Sequence, residues 1–440
     1  MTEFDAATTE SILALLSDED FMAFIQEHQH EYSYRESFLR THMPCGLDPA
    51  FVWEFLSFMR RMAGKPLVRE TNADGIVPLS NHSFWTATPD MIAGLNDIVT
   101  RTNPSAKLSR SLDRLGNRSA VQQLVLEELE AAAFRDGIDI ERDRIREIVC
   151  EEYQPACAEE RLFANFVAIS RRIGEKAEEP PSIETFANLH ESLQEGAEGL
   201  EPVPFHAPAP RMSTPKSSPE DTLASVAKGC KRPCQWGPHP LFGILLNADI
   251  IWVRSPFVRF NGLMELLIRW RSFHAIGVPA LRFVPLSSMR LTWERRLIEP
   301  PEAPMRYGEA LVASAFGIDS TPYIQQIIQL LGSGLDRLER IVQRVEASDE
   351  RCKRMIEEDG RLGLRQKNLL HDMIDDPTLI IDVSSYERRF DIATSTARTD
   401  LTRLVSLNLL FTEFRNNKQF FWLRPDIIRT HAETEGRVSL

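Results

Sequence analysis

Three groups of side chains in this sequence are of types that do chemistry. Cys230-x3-Cys234-x4-His239, with His206 as a distant fourth, offers thiols and imidazoles, which are zinc ligands. The spacing is not that of a standard zinc knuckle, and His239-Pro240 has its own role as a helix start, so no metal is expected. The run Arg254-Ser-Pro-Phe-Val-Arg-Phe-Asn-Gly-Leu263 sets Arg254, Arg259, Asn261 and Gly262 beside a helix N-terminus, where backbone N–H groups favour an anion. The simpler reading makes the arginines solvated surface residues and Asn261 an N-cap. The third group is Thr394-Ser-Thr-Ala-Arg-Thr-Asp-Leu-Thr-Arg403, in which Ser395, Thr396, Arg398, Thr399 and Arg403 are types that contact phosphates or base edges. Arg415 and Lys418 would add a second contact to a nucleic-acid backbone or minor groove. No Ser/His/Asp set, P-loop or G-x-G-x-x-G stands in usable context, and His28 and His30, two apart, point to different sides of a helix.

These groups need elements to hold them. Helical periodicity predicts helices at Ser11–Gln29, Phe51–Met62, Ser119–Phe134, Asp139–Cys150 and Ala158–Ile173. It predicts further helices at Ser182–Gln194 with Ser182 as N-cap, at Pro240–Val253 and Asn261–His274 on either side of the 254–262 run, and over Thr321–Met355. Gly64–Thr88 carries turn signals and reads as short strands or an extended loop. Gly199–Pro219, with six prolines in 21 residues, reads as irregular. Toward the C-terminus, helices at Gln366–Ile374, Ser385–Phe390 and Ser395–Ser406 precede a hairpin of Leu409–Phe414 and Gln419–Leu423, a sequence of elements that makes a winged helix-turn-helix. Leu401, Leu404 and Val405 would face its core.

The chain has 440 residues, 43% hydrophobic and 26% charged, an ordinary globular composition long enough for several domains. No run approaches a membrane span, the N-terminus lacks the pattern of a signal peptide, and six scattered cysteines do not form a disulfide framework. A cytoplasmic location and no membrane partner follow as expectations. The net charge of −13 speaks against a chain-wide nucleic-acid surface. Over Arg361–Pro425, however, 10 Lys and Arg stand against 8 Asp and Glu, so the balance is +2 there and −15 elsewhere. A two-fold dimer would double that patch, and a homo-oligomer is expected.

The order of segments over residues 116–345 resembles the Fic (Fido-fold) family. Leu189-His190 in SIETFANLHESL looks like the family's I…LH..L helix, and His239-Pro240 opens a helix of the right length. Arg254–Leu263 sits where the family has I-H-P-F-x-[DE]-G-N-G-R. Gly277-Val-Pro-Ala leads to Pro285-Leu-Ser287, and Asp319-Ser-Thr-Pro-Tyr-Ile324 resembles the D-x-T-P-W-I helix start. Arg61–Pro66 and Phe84-Trp85 are weakly similar to N-terminal extensions of the group, and a C-terminal winged helix is common in its bacterial members. The resemblance implies a mostly α fold: an N-terminal helical region at 1–115, a Fido-like helical core at 116–345, a linker helix at 346–360 and a winged helix-turn-helix at 361–430.

Active members of that family transfer AMP to protein hydroxyls. Their loop His takes the hydroxyl proton, the acid holds Mg²⁺, glycines admit the phosphates, and arginines clamp them. Here the corresponding positions are Ser255, Arg259, Phe260, Leu263 and Leu266. Serine is no base near neutral pH, arginine repels Mg²⁺, and a Phe backbone resists positive φ while its ring fills space. Asn261 and Gly262 are retained. The family's inhibitory motif, [ST]-x-x-x-E-[GN], falls on Ala132, Asp136 and Gly137, so the brake is also altered. A Pro-rich flap offers no continuous strand edge for a target. The leading expectation is a catalytically inactive protein that binds DNA or regulates through its winged helix, with no cofactor. An altered nucleotidyltransferase using ATP and Mg²⁺, and a scaffold for a protein target, stand as alternatives.

Overall fold

The computed structural model describes residues 16–28, 38–40, 43, 46–63, 65–66, 71–72, 75–76, 84–150, 154–175, 177–201, 218–231, 239–298, 321–376, 379–415 and 418–424. The fold is mostly α, as expected. Helices α1 (Glu19–His28) and α2 (Pro49–Ala63) are followed by short strands β1 (Lys65–Pro66), β2 (Thr71–Asn72), β3 (Gly75–Ile76) and β4 (Phe84–Trp85), paired β1 with β4 and β2 with β3. Then come α3 (Pro89–Thr102), α4 (Lys107–Leu115), α5 (Ser119–Asp136), α6 (Arg142–Cys150), α7 (Ala158–Arg172), α8 (Ile183–Gln194), α9 (Pro219–Lys231), α10 (Pro240–Arg254), α11 (Asn261–Ala275) and α12 (Leu286–Ile298). The C-terminal part holds α13 (Thr321–Glu358), α14 (Leu364–Asp375), β5 (Ile381–Asp382), α15 (Val383–Phe390), α16 (Thr394–Ser406), β6 (Leu410–Arg415) and β7 (Lys418–Leu423).

Several expectations are corrected. Within the expected Ser11–Gln29, the helix described begins at Glu19, where the Asp18 side chain accepts the Phe21 N–H at 2.9 Å and caps it; residues 11–15 and 29 lie outside the described residues. The helix expected at Asp139 starts at Arg142. The Pro-rich stretch ends in a helix: Pro219 opens α9, and Ser218 exchanges hydrogen bonds with Asp221 across its first turn. Helices α9 and α12 had no sequence expectation. Ser182 caps α8 as expected, in a reciprocal capping box with Thr185.

The chain divides into two compact units, Met1–Ala106 with Leu124–Asp336, and Lys107–Gln123 with Arg337–Leu440. In the first, α11 is buried from Asn261 to Arg271, and it packs on α10, which carries buried Leu241, Phe242, Ile244 and Leu245. A buried ionic network fixes α5 along α11. Arg269 donates to Glu128 at 2.5 Å and to Ser287 Oγ at 2.7 Å, and its Nε lies 2.9 Å from Glu265. The second Glu128 oxygen accepts the N–H groups of Ser287 and Ser288 at 2.8 and 3.2 Å, capping α12. Burying four polar side chains is costly unless they satisfy one another, and this arrangement leaves α5 one place to lie. Glu128 and Asp136 are about 12 Å apart along α5, and Arg269 and Gly262 about 10 Å apart along α11. With the helices antiparallel, docking Glu128 on Arg269 brings Asp136 to the N-terminus of α11.

The second unit contains a small α/β assembly. Strands β5, β7 and β6 form an antiparallel sheet in that order. Its inner face, with Ile381, Phe421, Leu410 and Leu423, closes over Leu369, Leu370 and Met373 of α14, Tyr386 of α15 and Ala397, Leu401 and Leu404 of α16. Val405 packs at the edge of this core.

Candidate functional site

Helix α10 ends at Arg254 because Pro256 cannot continue it and disfavours α backbone at the preceding residue. Ser255 turns the chain in left-handed conformation (φ 46°), its N–H held by the Ile251 carbonyl at 3.0 Å. Pro256 and Phe257 are buried and Val258 stands 96% exposed at the tip. Phe260 then also adopts left-handed backbone, φ 58°, and serves as the N-cap residue of α11. This corrects two expectations: the aromatic tolerates positive φ, and Asn261 is the first helical residue rather than the cap. The side-chain amide of Asn261 closes the loop, its Oδ1 accepting the Phe257 N–H at 2.9 Å and its Nδ2 donating to the Phe257 carbonyl at 2.8 Å. Phe260 is 1% exposed, and a buried Phe side chain contributes about 3–5 kcal/mol against about 1–2 kcal/mol for a left-handed residue. Packing therefore decides the backbone.

His190 of α8 supports the loop from one side. Its ring stacks on Phe257 at 5.3 Å, and its Nε2–H donates to the Arg259 carbonyl at 3.0 Å. Burial holds the imidazole below its ordinary pKa, so it is neutral. The Arg259 side chain, expected to be solvated, is engaged instead: Nη1 donates to the carbonyls of Glu198 and Leu200 at 2.6 and 2.8 Å, and Nε to Gln194 Oε1 at 3.3 Å. It ties down the chain leaving α8 and is not held ready for an anion. The Arg254 side chain lies outside the described residues.

The N-terminus of α11 has its own anion. Asp136, the last residue of α5, accepts the N–H of Gly262 at 2.7 Å and that of Leu263 at 2.9 Å. Gly137, at φ 71°, ends α5 behind it in the left-handed form usual for a C-terminal glycine. Gly262 is needed for closeness: a Cβ there would stand 2.8 Å from the Ala132 carbonyl oxygen and 3.1 Å from Asp136 Oδ2. Burial pushes the Asp136 carboxyl up to about 6, and the two N–H groups pull against that rise. At neutral pH it is mostly ionised and complements the helix dipole. Sequence reading placed Ala132, Asp136 and Gly137 in one motif and Asn261 and Gly262 in another; no local signal joined the two. Leu263 and Leu266 are both fully buried and offer no group to a ligand.

The other groups are placed as follows. His239 caps α10, its Nδ1 accepting the Leu241 N–H at 3.1 Å. The Cys230 thiol lies near Ser272 Oγ at 3.8 Å and Asn247 Nδ2 at 3.5 Å, and burial raises its pKa. Cys234 and His206 lie outside the described residues. In the second unit, α16 exposes Ser395, Arg398, Thr399, Thr402, Arg403 and Ser406, which line one open recess along the helix, while Thr396 is half-buried. Arg361, Arg365 and Arg389 of the same unit pair with Asp359, Asp400 and Asp372. Arg398 and Arg403 have no carboxylate partner among the described residues. Arg415 and Lys418 face each other across the strand pair at the end of the hairpin; Lys418 is exposed, and the Arg415 side chain lies outside the described residues.

Among solved structures, the chain is similar to a Fic family protein from Desulfovibrio desulfuricans G20. The match covers 77% of this chain and 97% of that one, at 13% identity and a TM-score of 0.43. No protein-family model and no curated protein matches the chain. Among the described residues, no helix is long and apolar enough to cross a membrane.

Proposed function

We propose that this is a Fic-like protein that does not transfer nucleotidyl groups and that acts through its C-terminal part, a winged helix-turn-helix, as a DNA-binding regulator. The observation that carries the reading is the exposed face of α16, where Arg398 and Arg403 lack carboxylate partners while neighbouring arginines are paired. Hydroxyls of Ser395, Thr399, Thr402 and Ser406 alternate with them, a composition suited to phosphates and base edges. The hairpin β6–β7, with Lys418 at its end, is the wing. In the body, the Fic-like loop serves as a packed corner. Asp136 takes the N–H groups that a phosphate would need, and Ser255, Leu263 and Leu266 supply neither base nor clamp.

Fluorescence anisotropy of the full chain with a duplex from its own upstream DNA tests the reading. Salt-sensitive binding is expected, and Arg398→Ala and Arg403→Ala should each weaken it and lower the salt slope by about 1. Absence of binding, or binding indifferent to both changes, overturns it. Retention of Asn261 and Gly262 is what favours the second reading, an altered nucleotidyltransferase. Calorimetry with ATP, CTP and UTP, with and without Mg²⁺, should give no heat of binding, and clear Mg-dependent binding would restore that reading.

A further inference from the structure

The hairpin carries an aromatic residue with no place in the core. Phe414 of β6 is 71% exposed. The strand register explains its position. Leu410 pairs with Leu423 and Thr412 with Phe421, and the buried members of those pairs face the helices. Side chains alternate along a strand, so Phe414 and its partner Gln419 share that inner face. They stand one pair further out, about 7 Å beyond Thr412, where Phe414 is exposed and Gln419 half-buried. The next pair is Arg415 with Lys418; Lys418 is exposed, and its charge also acts on the Asp382 carboxylate of β5.

We infer that Phe414 is an apolar wedge that enters the minor groove beside the α16 site and kinks the duplex, with Lys418 held against the adjoining phosphates. This rests on the DNA-binding reading above. An exposed phenyl ring on the helix side of the wing, followed at once by cationic residues, has the chemistry of a side chain that unstacks a base step while its neighbours neutralise the backbone. A wedge of this kind favours easily unstacked pyrimidine–purine steps, which gives the protein a preference at positions that α16 does not touch. The protein therefore gains a second activity, bending of the DNA it occupies.

The test uses the full chain and an A·T-rich duplex of about 30 base pairs with a donor and an acceptor dye at its two ends, in low salt. Wild type should bind and raise energy transfer between the ends. Phe414→Ala should bind about ten-fold more weakly and leave the energy transfer at the free-duplex value. Phe414→Leu, which keeps an apolar wedge, should retain most of the bend. Arg398→Ala with Arg403→Ala should lose binding, and bending with it. Equal bending by wild type and Phe414→Ala overturns the wedge and leaves the DNA reading standing. Failure of wild type to bind any duplex overturns both. If Phe414→Ala leaves bending intact but abolishes self-association in sedimentation runs, the ring is a protein contact and the wedge is overturned. Phe414 is exposed, so an unchanged melting temperature for the variants ties these readouts to DNA.

Discussion

Asp136 and Gly262, 126 positions apart in the chain, are joined by a 2.7 Å hydrogen bond from the glycine N–H to the carboxylate. A second bond from Leu263 completes the cap, so the helix N-terminus that could have received a ligand anion holds one built into the fold. The carboxyl is raised by burial to about 6, above its value in an unfolded chain. Between about pH 4 and 6 the native state therefore binds more protons than the unfolded one. The stability this group contributes is full below about pH 4 and is lost as pH rises through about 6, on the order of 3 kcal/mol in all. Asp136→Asn removes the titration. Urea midpoints measured from pH 4 to 7 should show the wild type losing ground to the Asn variant across that window. Parallel profiles for the two proteins would sink the idea.

Gly262→Ala should be destabilising by about 1–3 kcal/mol, because the new Cβ meets the backbone oxygen of Ala132, which no side-chain rotation can move. Chemical denaturation reads this directly. Trimming the carboxylate by Asp136→Ala should not rescue the variant, since the closest contact is with Ala132. Full rescue would show that Asp136 alone sets the spacing.

Arg259→Ala frees the Glu198 and Leu200 carbonyls from their shared guanidinium. Hydrogen exchange at residues 198–201 should speed by about ten-fold or more, with the amides of α11 unchanged. Arg259→Lys should keep part of the protection, because one nitrogen, Nη1, makes both carbonyl bonds and an ammonium can do the same, while the Nε bond to Gln194 is lost. Unchanged exchange in both variants would show that the tether carries no stability.

Glu128→Ala leaves Arg269 buried beside Glu265 with its closer partner gone, and costs about 3–5 kcal/mol. Adding Arg269→Met should recover part of that loss, so the double variant is more stable than the sum of the single changes predicts. Additive losses in a denaturant series would show that the pair is not coupled.

Much of the helical framework was legible because it rests on local signals. Ser182 with Thr185, His239 with Pro240, and the alternation that pairs β6 with β7 each act within a few residues. Helix α9 was hidden by the prolines before it, and α12 by the absence of a strong apolar stripe. The candidate site was legible in its parts and illegible in its assembly. Asp136 and Gly262 were both singled out, yet their bond depends on how α5 docks, which Glu128 and Arg269 decide far along both helices. Arg259 was misread because two backbone carbonyls, invisible as side-chain types, are its partners. Phe260 was misread because local preference for negative φ was weighed without the burial that overrides it.

The left-handed Phe260 also limits how the loop can change. Glycine at 260 would relieve the backbone, but it would empty the space the ring fills beneath Arg259, and the lost packing exceeds the relieved strain. A step toward an open loop is thus downhill in strain and uphill in total stability. Taken one residue at a time, that change is closed: several neighbours would have to grow into the ring's volume before a glycine became tolerable. The corner between α10 and α11 is thus locked from both sides, by a strained backbone and by the packed ring that holds it there.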